Sequence, residues 1–309
     1  MTVSVFIDGA AGTTGLEIRD RLAARSEFSL VTLEEERRKD VSSRRQALND
    51  CDVAILCLPD DAARQSVTLI TNDTTRVIDA STAHRTADGW TYGFPELIGR
   101  DAVAAAKRIS NPGCYPTGFL AIIAPLIRAG ILPADWPYTV NAVSGYSGGG
   151  IALIDRFESE RTIAWRGYGL GLGHKHIREM QLYAGLAHAP LFAPAVIDAH
   201  RGMVVEIPVP VGAIPGAGNA QAIHQTLHQF YADAALVNIG KLNEVPHELL
   251  IHRDAAPWDG MMIYVAGDEE HVRLIARLDN LGKGASGAAV QSLNLIAGLP
   301  EETGLITAA

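Results

Sequence analysis

The chain has 309 residues, of which 48% are hydrophobic and 20% are charged, a composition typical of a globular protein of about two domains. Its formal net charge of −9, with no basic run beyond ERRKD (36–40), argues against nucleic-acid binding, which needs clustered Lys and Arg. No apolar stretch approaches the about 20 residues that a membrane helix needs, and the N-terminal residues lack signal-peptide character. Three cysteines are too few for a disulfide framework. We therefore expect a cytoplasmic protein with no membrane partner.

The first third of the chain alternates strand-like and helix-like segments. Continuous apolar runs such as DVAILCLP are typical of strands buried on both faces of a parallel sheet. The alternation predicts an α/β fold, with an N-terminal Rossmann-like doubly wound parallel sheet. Strands are predicted at 3–8, 28–33, 52–59, 76–81 and 108–110, and helices at 13–24, 61–70 and 101–107.

After about residue 133 the pattern changes to longer strands with polar alternation, such as GMVVEIPVPV and HVRLIARLD. Helices are predicted at 172–187 and 221–234, and a helix rich in small residues at 282–298. The second half therefore predicts an α+β domain with a mixed or antiparallel sheet.

A glycine loop, DGAAGTTG, follows the first predicted strand. Gly9, Gly12 and Gly15 permit a tight turn and a close approach of the backbone to a pyrophosphate, and Thr13 and Thr14 add hydroxyl donors. The spacing departs from G-x-G-x-x-G, and a glycine loop can be only a turn. Its place between a strand and a helix favours dinucleotide binding.

The residues after the second predicted strand bear on the choice of cofactor. Glu34 is placed to bind the ribose of NAD, whereas Arg37, Arg38 and Lys39 are placed to bind the 2′-phosphate of NADP. Three cations favour NADP(H), and a solvated charged loop is the alternative.

The stretch SNPGCYPTGF contains the candidate nucleophile, Cys114. The residues at 111–113 predict a turn, and those from 116 to about 129 predict a helix. The positive end of that helix favours the thiolate, the nucleophilic form of cysteine. Cys57, inside an apolar strand, and Cys51, at its start, are interpreted as core residues.

A cysteine nucleophile needs a base, and GHKHIRE offers two histidines. If a helix begins here, His176 and Glu179 share one face, and the carboxylate can orient the imidazole. His174 is the competing candidate. A metal site at the two histidines is a third hypothesis. No Cys/His cluster with zinc spacing accompanies the pair, so no metal is expected. His224 and His228 are read as surface or packing residues.

A second glycine-rich segment, SGYSGGG (144–150), follows a predicted strand. It can form a backbone nest for an anion or a carbonyl oxygen. A flexible turn is the equally good alternative.

Many motifs in order carry a resemblance to one family. FIDGAAGTTGLEIRDRL, LCLPDDAAR, VIDASTAHRT, YGFPEL, SNPGCYPTGFL, SGYSGGG, GHKHIREM and DNLGKGASGAAVQSLNLIAG together resemble the short, type 2 N-acetyl-gamma-glutamyl-phosphate reductases, over residues 3 to about 298. The resemblance implies the third step of arginine biosynthesis, an NADPH-dependent reduction of an acyl phosphate to a semialdehyde. It also implies a fold shared with aspartate-semialdehyde and glyceraldehyde-3-phosphate dehydrogenases, in which the last helix returns to the first domain.

The resemblance assigns roles to matching residues. It implies that Cys114 is the nucleophile, prefers His176 over His174, pairs it with Glu179, and places Asn280 near the nicotinamide. Further cofactor contacts are expected at Leu58, Pro59, Ser81, Ser147 and Gly148. Candidate substrate contacts are Arg85, Asn111, Lys175 and Arg178. Arg85 is the candidate for a phosphate or carboxylate contact, Lys175 and Arg178 are weaker candidates, and each of these three could equally be a surface charge.

These observations predict an NADP-binding domain at 1–115 and 282–309, and a catalytic and dimerisation domain at 116–281. A homo-oligomer, dimer or tetramer, is expected. The alternatives are an aspartate-semialdehyde dehydrogenase, a nucleotide-sensing regulator that has lost catalysis, and a cysteine hydrolase that uses no nicotinamide. Cys114, His176 and Glu179 argue against the regulator, and the glycine loop argues against the hydrolase.

Overall fold

The computed structural model describes residues 2–307, and it divides into two compact units. The first unit contains the residues up to Pro112 together with Ala285–Leu305, and the second contains Gly113–Gly284 and the residues from Ile306. Within the described range no helix is long and apolar enough to cross a membrane.

A six-stranded parallel sheet forms the centre of the first unit, in the order β2-β1-β3-β4-β6-β5. Four buried isoleucines lie side by side on neighbouring strands, since Ile7 pairs with Ile55, Ile55 with Ile78, and Ile78 with Ile109. The strands are β1 (Val3–Asp8), β2 (Phe28–Val31), β3 (Val53–Leu56), β4 (Arg76–Asp79), β5 (Thr91–Tyr92) and β6 (Arg108–Ser110).

Apolar clusters cover both faces of this sheet, as a doubly wound fold requires. The final helix packs against α5, α1 and β4, which confirms the return of the C-terminal helix to the first unit. The helices are α1 (Thr13–Leu22), α2 (Val41–Asp50), α3 (Asp60–Leu69), α4 (Pro95–Ile98), α5 (Arg100–Ala105) and, after the second unit, α10 (Gly287–Ile296).

The second unit is built on a seven-stranded mixed sheet, in the order β11-β12-β13-β10-β7-β9-β8. β7 pairs with β9, and β11 with β12, in parallel, while the other neighbours are antiparallel. The strands are β7 (Thr139–Gly145), β8 (Trp165–Gly167), β9 (Leu191–Ile197), β10 (Met203–Val209), β11 (Val237–Ile239), β12 (Met261–Gly267) and β13 (Val272–Leu278).

A long buried helix lies at the core of the second unit. It packs against β10, β13 and two further helices of the unit, and nearly all of its residues after the first are buried. Its apolar sequence therefore reflects contact on every side. The helices are α6 (Cys114–Arg128), α7 (Ile151–Ser159), α8 (Ile177–Ala184) and α9 (Ala220–Phe230).

The predicted fold class is confirmed, and several element boundaries differ from the prediction. The helix predicted at 172–187 begins only at Ile177, and the helix predicted at 282–298 opens with a π turn over Gly282–Ser286. The second strand ends at Val31, and Cys57 lies just after β3 rather than inside it. The residues at 111–113 form an irregular connection instead of a turn.

The limits of the two structural units also differ from the expected domain limits by a few residues. Its first boundary follows Pro112, and the terminal residues join the second unit because Ile306 donates its N–H to Asp259 and the Thr307 carbonyl accepts from the Trp258 indole. The functional assignment of the two domains stays a prediction.

Candidate active site

The glycine loop after β1 has the close packing that its sequence predicts. Gly9 has φ +93°, and a Cβ there would overlap the carbonyl oxygen of Cys57. A Cβ on Gly15 would likewise press against the Gly9 backbone. Glycine is required at these two positions because no side chain fits between the loop and its neighbours.

The start of α1 has the features of a phosphate-binding helix end. Gly12 is the N-cap and has no side chain, so no side-chain cap accepts a hydrogen bond from the first N–H groups of the helix. The Thr13 hydroxyl oxygen is buried and has no hydrogen-bond partner among the described residues. Backbone donors, a helix dipole and an unsatisfied hydroxyl fit the pyrophosphate of a dinucleotide. Thr14, the next residue, carries the second predicted hydroxyl donor.

A buried ion pair supports the base of the loop. Asp8, the last residue of β1, receives hydrogen bonds from Arg44 at 2.9 and 3.2 Å and from the Ser66 hydroxyl at 2.9 Å. Arg44 was not a predicted residue, since it lies in α2, a helix that was not predicted.

The cation cluster lies on the surface beyond β2. Arg37 closes a short 3₁₀ turn that begins at Glu35, and Arg38 and Lys39 follow it, all exposed. Exposure leaves these side chains accessible to a phosphate group. Their predicted contact with the 2′-phosphate stays a prediction.

Three more predicted cofactor residues lie at the same edge of the parallel sheet. Leu58 packs beside Gly9, and the exposed Pro59 is the N-cap of α3. Ser81 follows β4, and its N–H and hydroxyl both donate to Asp79, at 2.9 and 2.8 Å. Ligands of such sheets bind at the carboxyl ends of the strands, which is where these residues lie.

In the second unit, Cys114 is the first residue of α6. The N-cap is Gly113, which again provides no side-chain cap. A Cβ on Gly284 would lie 2.9 Å from the Cys114 Cβ, so the π turn packs closely against the cysteine. The thiol therefore lies at a helix N-terminus, a position where the helix dipole favours a thiolate, and the Gly284 backbone packs beside it.

Glu179 has a contact that sequence analysis did not predict. Its carboxylate accepts a hydrogen bond from the Gly113 N–H at 3.1 Å, and the side chain is buried in the first turn of α8. This bond ties α8 to the residue before Cys114. Because Gly113 and Glu179 are 66 positions apart in the sequence, no local sequence pattern indicates this hydrogen bond.

The two candidate histidines are distinguished by their surroundings. Burial, and then the charge of Lys175, lowers the pKa of His174 to about 4. The Nδ1 of His174 also accepts the His176 N–H at 3.1 Å, which requires the neutral ring. His174 is therefore a poor proton donor near neutral pH, which leaves His176, the N-cap of α8, as the better acid–base candidate.

Two tyrosines border the site, and neither was predicted. The Tyr115 hydroxyl donates to the Ala195 carbonyl at 2.9 Å, and its ring centroid lies 5.9 Å from that of His176. Burial first, and the negative charge of Cys114 among the lesser causes, raises the pKa of Tyr168 to about 12. Burial likewise raises the pKa of Tyr115, so both phenols stay neutral beside the histidines.

Ser147, Gly148 and Asn280 lie together in the second unit. The Asn280 amide donates to the Ser147 hydroxyl at 2.9 Å and accepts from the Gly202 N–H at 3.0 Å, and Gly148 lies beside the same amide. The structure thus brings three separately predicted residues together, with Ser147 and Asn280 buried and Gly148 exposed beside them. Asp279, next to Asn280, forms an unpredicted buried ion pair with Arg201 at 3.0 Å.

The four candidate substrate residues differ in their surroundings. Arg85 is buried, and its guanidinium donates to the carbonyls of Asn111 and Ala80. Asn111 is also buried, with an amide oxygen that has no partner among the described residues. Lys175 and Arg178 are exposed on either side of His176.

The remaining cysteines and histidines behave as expected for structural residues. Burial raises the pKa of Cys51 to about 11 and, together with the charges of Asp79 and Asp8, that of Cys57 to about 12. His224 binds the Gly240 carbonyl at 2.9 Å and packs near His228. Within residues 2–307, no group of three His, Cys, Asp or Glu side chains is arranged to hold a metal ion.

Two family models match the chain in sequence. The model described as "Semialdehyde dehydrogenase, NAD binding domain" matches residues 4–106, and the one described as "Semialdehyde dehydrogenase, dimerisation domain" matches residues 114–280. Together they cover most of the chain.

Similar proteins and structures point the same way. The "N-acetyl-gamma-glutamyl-phosphate reductase 2" of Nostoc sp. is 48% identical over 97% of this chain and 98% of its own. The reductase of Burkholderia ambifaria is 47% identical, with 96% of each chain covered. In fold, aspartate semialdehyde dehydrogenase II from Vibrio cholerae matches 96% of this chain and 99% of its own, with a TM-score of 0.70 at 18% identity. This chain belongs to the semialdehyde dehydrogenase family and, within it, to the N-acetyl-gamma-glutamyl-phosphate reductases.

Proposed function

We propose that this chain reduces N-acetyl-L-glutamyl 5-phosphate to N-acetyl-L-glutamate 5-semialdehyde with NADPH, releasing phosphate, through a thioester on Cys114. The reaction is the third step of arginine biosynthesis. The observation that carries the covalent route is the position of Cys114 at an uncapped helix N-terminus, with His176 in the same unit and Tyr115 packed against that histidine.

Cys114 performs the acyl transfer. Its thiolate attacks the carbonyl carbon of the acyl phosphate, the C–O bond to phosphate breaks, and the acyl group remains on sulfur. The first N–H groups of α6 stabilise the thiolate before attack and the oxyanion during it. The Gly113–Glu179 hydrogen bond keeps the start of this helix in place.

His176 moves the protons. It is buried, and the Tyr115 ring packs against it, so its orientation is restricted. It serves as the general base for the Cys114 thiol. After reduction it protonates the oxygen of the hemithioacetal on Cys114, and it takes that proton back as the C–S bond breaks and releases the aldehyde and the thiolate.

The cofactor is NADP(H), which supplies the hydride for reduction of the thioester carbonyl. The chain's contribution is the glycine loop with the start of α1 for the pyrophosphate, and Arg37, Arg38 and Lys39 for the 2′-phosphate. In the second unit, Asn280, held by Ser147 and Gly202, is proposed to orient the nicotinamide.

The partner we propose is a second copy of this chain. The strands of the second sheet carry half-exposed residues such as Val204, Tyr264 and Arg277, which alternate with buried ones, and the matching family model is described as a dimerisation domain. A cytoplasmic location is proposed as well, and the three free cysteines fit a reducing compartment.

Replacement of the nucleophile tests the proposal. Cys114→Ser should lower phosphate-dependent reduction of NADP⁺ with the semialdehyde by about 10³-fold or more, because a serine hydroxyl lacks the acidity of a thiol. NADPH affinity, measured by fluorescence titration, should stay near wild type. Cys57→Ser is the matched control and should retain activity. Substantial activity in Cys114→Ser would overturn the covalent route.

A further inference from the structure

Asp79, His84 and Trp90 form a cluster in the first unit that the proposed reaction does not use. Asp79 ends β4 and is completely buried. Its carboxylate lies 2.6 Å from His84 Nδ1 and accepts both the N–H and the hydroxyl of Ser81. A buried carboxylate requires such partners because its charge is otherwise costly.

The His84 ring is held on a second side. It stacks on Trp90 with ring centroids 4.1 Å apart and planes 10° from parallel. The hydrogen bond to Asp79 and this stack together fix the ring's position and give Nδ1 the donor role.

The segment between Ser81 and Arg85 is tied down at further points. The Ala83 N–H donates to the Ser81 hydroxyl at 3.1 Å, and the Thr82 N–H donates to Asp60, the first residue of α3, at 2.9 Å. This segment therefore follows the carboxyl edge of the sheet as a rigid turn, with His84 immediately before the buried Arg85.

We propose that His84 is a positioning residue for phosphate recognition: clamped between Asp79 and Trp90, it holds the Ser81–Arg85 turn so that Arg85 meets the phosphate. The inference rests on the proposed function, and it takes Arg85, a predicted substrate contact, as the residue that binds the phosphate of the substrate. Arg85 is linked to the turn because its guanidinium donates hydrogen bonds to the backbone carbonyls of Ala80 and Asn111, which move with the chain.

Two substitutions separate the parts of the clamp. His84→Phe keeps a ring over Trp90 but cannot donate to Asp79, whereas His84→Asn keeps a donor and loses the stack. The assay is phosphate-dependent reduction of NADP⁺ with N-acetylglutamate semialdehyde, with the KM for inorganic phosphate and the KM for NADP⁺ measured separately. His224→Phe is the matched control, since His224 also has one polar partner and one ring neighbour.

His84→Phe should raise the KM for phosphate about tenfold, because loss of the donor to Asp79 misplaces Arg85 and weakens its contact with the phosphate. His84→Asn, which keeps a donor, should raise this KM less. The KM for NADP⁺ should stay within about twofold of wild type, because Ser81, the predicted cofactor contact in this turn, has two hydrogen bonds of its own to Asp79. His224→Phe should change neither value. An unchanged KM for phosphate, or equal rises in both KM values, would overturn the proposal. If His84→Phe does not fold, the same criteria apply to His84→Asn.

Arg85→Lys distinguishes the two levels of the account. If wild type is inactive, the proposed function is wrong. If Arg85→Lys raises the KM for phosphate while His84→Phe does not, the role of His84 alone is wrong. If Arg85→Lys leaves that KM unchanged, Arg85 does not bind the phosphate and the proposal for His84 fails with it.

Discussion

Helices α1 and α6 both begin at a glycine with an extended backbone, Gly12 at φ −78° and ψ 162°, and Gly113 at φ −72° and ψ 147°. Neither glycine caps its helix with a side chain. The surroundings differ along the helices: the first turn of α1 is partly exposed, whereas α6, after the half-buried Cys114, is buried from Tyr115 to Leu126.

The difference matches what each helix end has to do. A cofactor that binds and leaves needs an accessible set of backbone donors, and α1 provides one. A thiolate that forms a thioester needs the same dipole in a site with little water, where electrostatic stabilisation is stronger. In the proposed mechanism, one device for holding negative charge thus serves reversible binding in one unit and covalent chemistry in the other.

Substitution in the glycine loop tests the first half of this comparison with the largest expected effect. Gly9→Ala should destabilise the protein by about 2–3 kcal/mol, because alanine is strained at positive φ and its Cβ overlaps the Cys57 carbonyl. Gly12→Ala, whose Cβ would meet no atom closer than 3.6 Å, should cost far less. Urea unfolding measures both, and equal losses would contradict the packing described for the loop.

Removal of the exposed cations tests what approaches α1. The double substitution Arg37→Ala, Arg38→Ala should weaken NADPH binding about tenfold and leave NADH binding nearly unchanged, since only NADPH has a 2′-phosphate. Fluorescence titration with the two nucleotides is the measurement. Arg64→Ala, at an exposed arginine on α3, is the control. An equal loss of affinity for NADPH and NADH would show that these arginines do not bind the 2′-phosphate.

The smallest expected effect concerns burial beside the nucleophile. The pKa of His174 is lowered to about 4 by burial, from 6.5 in the unfolded chain, so the unfolded state binds more protons between these values. The free energy of unfolding should therefore fall as pH drops from about 6.5 toward 4. His174→Asn should show a shallower fall.

Unfolding at pH 7.5 and pH 5, values chosen on either side of about 6.5, measures this effect. The exposed His188 provides the control substitution, His188→Asn, which should retain the wild-type slope. If His174→Asn and wild type lose the same stability on acidification, the burial described for His174 is wrong.

Sequence reasoning succeeded where local pattern decides structure. The glycine loop, the apolar parallel strands and a helix next to Cys114 all follow from residues close together in the chain, although α6 begins at Cys114, two residues before the predicted start at 116. The start of α8 was misplaced because GHKH continues the polar pattern of a helix, although His176 is only its N-cap.

Long-range contacts were beyond such reasoning. No pattern shows that Glu179 reaches the Gly113 N–H, or that Arg44 pairs with Asp8 across 36 positions. The neutral state of His174 depends on burial, which tertiary packing alone determines.

The central claim is that acyl transfer proceeds through a thioester on Cys114, and a burst experiment tests it most directly. Enzyme mixed with NADP⁺ and N-acetylglutamate semialdehyde, without phosphate, should form about one NADPH per active chain and then stop or slow sharply, because the thioester waits for phosphate to accept the acyl group. Intact and peptide mass spectrometry should find the N-acetylglutamyl group on Cys114. Absence of a burst, or an acyl group on another residue, would contradict the account.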